Sequence, residues 1–141
     1  MTRRYRKSAS GFTLLELLVV MVIIGMLAAF VAPRYFAQVG KSQAKSAKAQ
    51  ITALEQALEQ YRLDVGTFPS TQDGLAALNA APTGAGAGWY GPYLKKAVPP
   101  DPWGRPYQYA NPGQHGEIDL YSFGRDGREG GTGEDGDVTN W

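Results

Sequence analysis

The chain has 141 residues, 14 Lys and Arg against 13 Asp and Glu, and no cysteine. That length allows one small domain beside a membrane segment, and the missing thiols exclude disulfides and thiolate metal sites as means of stabilising it. The formal net charge of +1 hides an asymmetry, with a basic N-terminus (Arg3, Arg4, Arg6, Lys7) and seven acids against Arg125 and Arg128 between Glu117 and Asp137; without a basic stripe on the folded part, nucleic-acid binding is not expected.

Residues Phe12 to Ala32 read FTLLELLVVMVIIGMLAAFVA, an apolar run with one charge, Glu16. A bilayer-spanning helix needs about 20 apolar residues, so the run is long enough, and the basic cluster ahead of it is expected to stay cytoplasmic. A carboxylate inside a lipid-facing helix costs roughly 2.5 kcal/mol or more, so Glu16 calls for a partner. A secretory signal peptide would have a shorter core and a small-residue cleavage site after it, but Pro33-Arg34-Tyr35 follows here. A plain signal anchor leaves Glu16 unexplained.

The helix is expected to continue past Pro33, because neighbouring helices can satisfy backbone groups freed by proline in a membrane. Residues 37–62 are rich in Ala, Gln, Lys and Glu, all good helix formers. Ala47, Ile51, Leu54, Leu58 and Tyr61 recur at helical spacing and predict one buried stripe flanked by Lys45, Lys48, Gln50 and Glu55. At ~1.5 Å per residue, a helix from Phe12 to Arg62 would be about 75 Å long. Ala37, Ala44 and Ala49 are expected to stay exposed and allow close approach between subunit helices.

Asp64-Val65-Gly66 predicts the helix end, with Gly66 at the cap. A turn then leads to a short helix through Leu78, with Ser70 or Thr71 as its N-cap, and residues 79–92 form a loop of small residues. Pro106–Ala110 and Ile118–Phe123 alternate like strands around a hairpin-like loop, Asn111–Gly116, and Val138–Trp141 offers a third short strand. The expected architecture is α+β: a long N-terminal helix whose stripe packs on a small antiparallel sheet, with Tyr107, Tyr109, Leu120 and Trp103 as candidates for the contact.

The segment Asp126–Asp137, DGREGGTGEDGD, concentrates carboxylates and glycines. Calcium takes six to eight oxygens from carboxylates and carbonyls on flexible loops, yet the EF-hand pattern fails at Arg128 and Gly130. A single calcium β-helix nonapeptide has nothing to stack on. On composition, a solvated acidic loop and a cation site both remain open. His115 is the only histidine, with no nearby nucleophile and no recognised catalytic motif in the chain, so no enzymatic activity is expected.

The run Gly11-Phe12-Thr13-Leu14-Leu15-Glu16 behind a basic leader resembles the type IV pilin superfamily. Within it, the chain is similar to the major pseudopilins of type II secretion systems. The similarity is carried by Tyr61-Arg62-Leu63-Asp64, Phe68-Pro69-Ser70-Thr71, Gly74-Leu75, Gly91-Pro92-Tyr93-Leu94, Asp101-Pro102-Trp103-Gly104-Arg105-Pro106-Tyr107, Pro112-Gly113, His115-Gly116, Ser122–Gly127 and Thr139-Asn140-Trp141. In this order and spacing the motifs are specific.

The resemblance implies four segments: a leader, 1–11, removed by a prepilin peptidase; a transmembrane polymerisation helix, 12–34; its periplasmic continuation, 35–62; and a globular domain, 63–141. It implies cleavage between Gly11 and Phe12, N-methylation of Phe12, and a role for Glu16 in assembly. The product would be a homo-oligomeric filament in the periplasm, anchored in the inner membrane, working with minor pseudopilins and an inner-membrane assembly platform to push folded proteins outward. It further implies one calcium held by the Phe123 carbonyl, Asp126, Asp135 and Asp137, although the family usually has Ala where Arg125 and Gly136 stand. Two rival readings are a surface pilin and a monomeric, membrane-anchored calcium-binding module.

Overall fold

The computed structural model describes residues 11–141, so the basic cluster at residues 3–7 lies outside the described residues. The chain forms two compact units, one up to Ala37 and one from Gln38 to Trp141, and helix α1, Leu14–Val65, contributes to both.

In the first unit, α1 carries Pro33 within the helix. It is long and apolar enough to cross a membrane, and its side chains, from Leu14 through Phe36, are almost all exposed in the isolated chain. An apolar helix with no buried face is matched to lipid or to other helices rather than to a core of its own.

The second unit is built on the helical stripe. Ala47, Ile51, Leu54, Leu58 and Tyr61 are all buried, as their spacing predicts, and Ala57 joins them. From Ile51 to Tyr61 they meet Phe68, Leu75, Leu78, Tyr107, Ile118 and Leu120, with Ile51, Leu58, Leu78 and Leu120 sealed from solvent. Each such aliphatic side chain contributes about 1.5–3 kcal/mol on burial. The helix ends at Gly66, whose N–H bonds to the Arg62 carbonyl at 2.8 Å and whose φ of +96° suits only glycine. Ala37 and Ala49 are exposed as expected, but Ala44 is half-buried.

A 3-10 turn at Gly74–Leu78 follows α1 and inserts Leu75, Ala77 and Leu78 into the core. The Ser70 hydroxyl accepts from the Asp73 N–H at 3.1 Å and donates to the Asp73 carboxylate at 2.6 Å. Thr71 is no cap: its hydroxyl bonds both the carbonyl and the N–H of Asn111, tying this turn to the sheet. A further 3-10 turn, Gly86–Gly88, interrupts the loop of small residues, and Trp89 beside it donates its indole N–H to the Ala77 carbonyl.

The sheet has three antiparallel strands, β1 (Gln108–Ala110), β2 (Asp119–Ser122) and β3 (Val138–Thr139), in the order β1-β2-β3. Tyr109 pairs with Leu120, and Tyr121 with Thr139. All three are shorter than expected, for identifiable reasons. Tyr107 leaves the ladder to pack on α1, where its hydroxyl donates to Gln50 at 2.6 Å, and burial pushes its pKa up to about 12. Beyond β3, the Asn140 side chain continues the pairing, accepting from the Leu120 N–H and donating to the Ile118 carbonyl. Trp103 does not join the core cluster, so that expectation is corrected; it belongs to a turn held by polar contacts.

Two faces of β2 are buried by different means. Leu120 and Ser122 point toward the core side, whereas Asp119 is covered by the Asn111–Gly116 loop. The Asp119 carboxylate accepts from the N–H groups of Gln114 and His115 and from His115 Nδ1 at 2.8, 3.1 and 3.0 Å. The His115 ring stacks on Trp141 with centroids 3.9 Å apart. His115 therefore closes the end of the chain onto the sheet.

Burial alone would push the Asp119 carboxyl up, but these hydrogen bonds outweigh it and hold its pKa below the ordinary carboxylate value. A carboxylate lowered in this way contributes stability that is complete above its unfolded-state pKa, about 4, and is lost as pH falls through the lower folded value. Thermal midpoints from pH 7 down to pH 2 should therefore fall below about pH 4. Asp119→Asn should be less stable than wild type at pH 7, with the difference shrinking in acid. A difference that stayed constant would contradict this assignment.

Candidate functional site

Two places carry chemistry that the fold does not need for its core. The first is the start of α1. The Glu16 carboxylate accepts from the Thr13 N–H at 3.0 Å and from the Thr13 hydroxyl at 3.1 Å, while the Glu16 N–H donates to that hydroxyl at 3.2 Å. This is a reciprocal capping box, in which two groups at the helix start satisfy each other. The only acid of the apolar run thus has a local partner within its own subunit. Thr13 was not among the expected site residues, although Thr-x-x-Glu ahead of an apolar run is a legible capping signal. Phe12 is 84% exposed. Among the described residues, a Cβ added at Gly11 would meet nothing within 4 Å, and its φ lies outside the region that favours glycine.

The second is the acidic loop that follows β2. Its root is fixed by an aspartate turn. Asp101, only 4% exposed, accepts through one oxygen from the N–H groups of Trp103 and Arg105 at 3.0 and 2.8 Å. Its other oxygen accepts from the Ser122 hydroxyl at 2.5 Å, and that hydroxyl in turn accepts from the Gly124 N–H. Arg105 then reaches across to donate to the carbonyls of Gly124 and Arg125 at 2.7 and 2.9 Å. The Asp-Pro-Trp-Gly-Arg motif is therefore a clamp on the loop's first residues. Gly124, with φ +65°, must be glycine because a Cβ would run into the carbonyls of Asp135 and Gly136. Gly127 leaves room for the Arg105 guanidinium.

The predicted metal residues lie along this loop but do not converge. Asp126 accepts from the Arg128 N–H at 3.1 Å, and Asp137 accepts from the Gly130 N–H at 2.9 Å. Asp135 is engaged by Arg125, whose Nε and Nη2 donate to its two oxygens at 2.8 and 3.2 Å. The third arm of the same guanidinium reaches Glu134 at 2.5 Å. Phe123, whose carbonyl completes the predicted set, stands at the end of β2 with its ring edge-on to Tyr121. Among the described residues, no three acidic or histidine side chains stand close enough to ligate one ion.

The donor set nonetheless suits a hard cation. Among the described residues, Asp137 Oδ1 is buried with no hydrogen-bond donor, and a buried carboxylate oxygen left unsatisfied is costly unless something positive meets it. Carboxylate and carbonyl oxygens on a glycine-rich loop are the ligands calcium takes. Both oxygens of Asp135 are taken up by the Arg125 guanidinium.

Known proteins match both parts of the chain. The family model described as Type II secretion system (T2SS), protein G matches residues 34–141, and the Prokaryotic N-terminal methylation motif matches residues 6–32. The chain is 47% identical over 138 residues to the Type II secretion system core protein G of Pseudomonas aeruginosa, covering 96% of this chain and 97% of that one. It is 45% identical to the Vibrio cholerae protein of the same description over 141 residues, 99% of this chain and 95% of that one. The fold superposes on the crystal structure of the major pseudopilin from the type 2 secretion system of enterohaemorrhagic Escherichia coli with a TM-score of 0.63 and 36% identity, covering 75% of this chain and 92% of that one. With one long helix, a three-stranded antiparallel sheet and an N-terminal methylation motif, the chain belongs to the protein G family of type II secretion systems, the structural major pseudopilins.

Proposed function

We propose that this chain polymerises in the bacterial inner membrane into a pseudopilus whose growth in the periplasm drives folded proteins across the outer membrane. The observation that carries the reading is the first unit. It presents an apolar helix with no core of its own and a single carboxylate that, among the described residues, is held by its own helix start. A surface designed to stay in lipid has no use for that acid. A helix that must choose one register against its neighbours does.

Processing would supply a charged partner. Cleavage by a prepilin peptidase between Gly11 and Phe12 would free an amino group at Phe12, and N-methylation there follows the matched motif. Packing among the described residues makes no demand for glycine at position 11, which suits recognition by a peptidase. On assembly, Glu16 would exchange Thr13 for the new amino group of a neighbouring subunit. Two charges buried in an apolar bundle are costly unless they meet, so the pair selects register more than it adds raw stability. Minor pseudopilins and an inner-membrane platform are the proposed partners that start and drive this assembly.

The acidic loop is proposed to hold one calcium through the Phe123 carbonyl, Asp126, Asp135 and Asp137. When bound, the ion would supply positive charge that neutralises the loop's carboxylates and braces it against β2 and β3. The buried, donor-free oxygen of Asp137 supports this reading. Arg105, Asp101 and Ser122 fix the near end of the loop independently of any ion.

Two outcomes follow. Glu16→Ala should be inserted and processed normally yet yield few filaments by electron microscopy, because losing one partner of a buried ion pair costs about 3–5 kcal/mol per contact. Wild-type filament yields from that variant would remove Glu16 from the account. For the loop, a ligand that binds only the folded state stabilises it by about 2.7 kcal/mol at a hundredfold excess over its dissociation constant. The full chain in detergent should therefore melt higher in calcium than in chelator, and equal midpoints would reduce the loop to a solvated acidic segment.

A further inference from the structure

Arg125 lies inside the acidic loop and spends its whole guanidinium there. Two of its nitrogens meet both oxygens of Asp135, the third meets Glu134, and its backbone N–H donates to the Glu134 carbonyl at 3.2 Å. The loop from Gly124 to Asp137 carries two arginines against five acids, and Arg125 alone draws two of those acids together. The other arginine, Arg128, contributes its backbone N–H to Asp126.

We propose that Arg125 is a built-in counter-ion that closes the acidic loop without metal and competes with a divalent cation for the Asp135 carboxylate. The competition follows from geometry. A planar guanidinium fork occupies both carboxylate oxygens at once, and calcium would need lone pairs of the same oxygens. Neither partner is deeply buried: the side chains of Arg125 and Asp135 are 54% and 39% exposed. Such pairs are weak and exchangeable, so Arg125 can swing into solvent when a cation takes its place. The remaining contacts at the loop's root, from Arg105 to the Gly124 and Arg125 carbonyls, do not involve the exchanged atoms. The swap can therefore occur without undoing the clamp.

The inference has two parts: closure by Arg125, which stands on its own, and competition, which rests on the proposed calcium site. Closure and competition predict effects of opposite sign from one substitution, which a purely structural arginine would not give. In the full chain in detergent micelles, Arg125→Ala should melt below wild type in chelator, because the loop loses its internal cation. The same variant should bind calcium about two- to fivefold more tightly by titration calorimetry, on the scale expected for removing an exposed ion pair. Arg125→Lys keeps the charge but lacks the fork, and it should fall between the two. A calcium affinity for Arg125→Ala equal to or weaker than wild type overturns the competition. A chelator midpoint unchanged by Arg125→Ala overturns the closure. If neither wild type nor variant binds calcium, the calcium reading and the competition fall together, while the chelator midpoint still decides the closure.

Discussion

The carboxylate of Glu16 sits in an apolar helix and takes its hydrogen bonds from Thr13, one turn away at the helix start. That arrangement lets a single subunit exist in a membrane without an orphaned charge. It also leaves the carboxylate in the first turn of the helix, where a neighbour can reach it. A capping box is worth only about 1 kcal/mol, so the local partner is easily exchanged for a charged one. The lone subunit and the proposed filament thus correspond to two states of the same carboxylate.

The second unit solves a different problem. It has no disulfide, and its strands are two to four residues long. Such a sheet is marginal by itself and needs packing against a helix. Here the same helix that begins in lipid supplies the packing stripe, from Ala47 to Tyr61. Around that core, three polar locks replace longer strands. Asp101 joins the 101–105 turn to Ser122, Asp119 holds the loop ahead of β2, and the Asn140 side chain extends the sheet past β3. Each lock pairs a buried or half-buried polar group fully enough to avoid the penalty of leaving it unsatisfied. The acidic loop hangs from the first of them.

Local signals in the chain reached as far as local physics decides the outcome. The buried stripe of α1 was legible because a 3.6-residue period leaves only one face for Ala47, Ile51, Leu54, Leu58 and Tyr61, and the helix end was legible because Gly66 alone tolerates the φ found there. Strand ends were less so, since Tyr107 leaves the ladder for a residue 57 positions away and Asn140 continues it through a side chain that reaches a residue 22 positions away. Trp103 looked like a core residue by type, but the turn that carries it is shaped by a buried aspartate. The acidic loop shows the same limit. Its carboxylates are plain in the sequence, whereas the choice of Arg125 to grip Glu134 and Asp135 exists only once the loop has closed. Assigning a role to His115 needed both Asp119 and the last residue of the chain, Trp141.

Everything proposed for the first unit assumes that the apolar half of α1 is kept in the mature protein and begins at Phe12. Mass spectrometry of the N-terminal peptide, taken from protein isolated out of membranes and filaments, tests that assumption most directly. The predicted peptide starts at Phe12 and carries one added methyl group on its amino nitrogen. A mature chain that retained the Arg3–Lys7 cluster, or one that began beyond Ala32, would contradict the account, because in neither would Glu16 meet a free amino group at position 12.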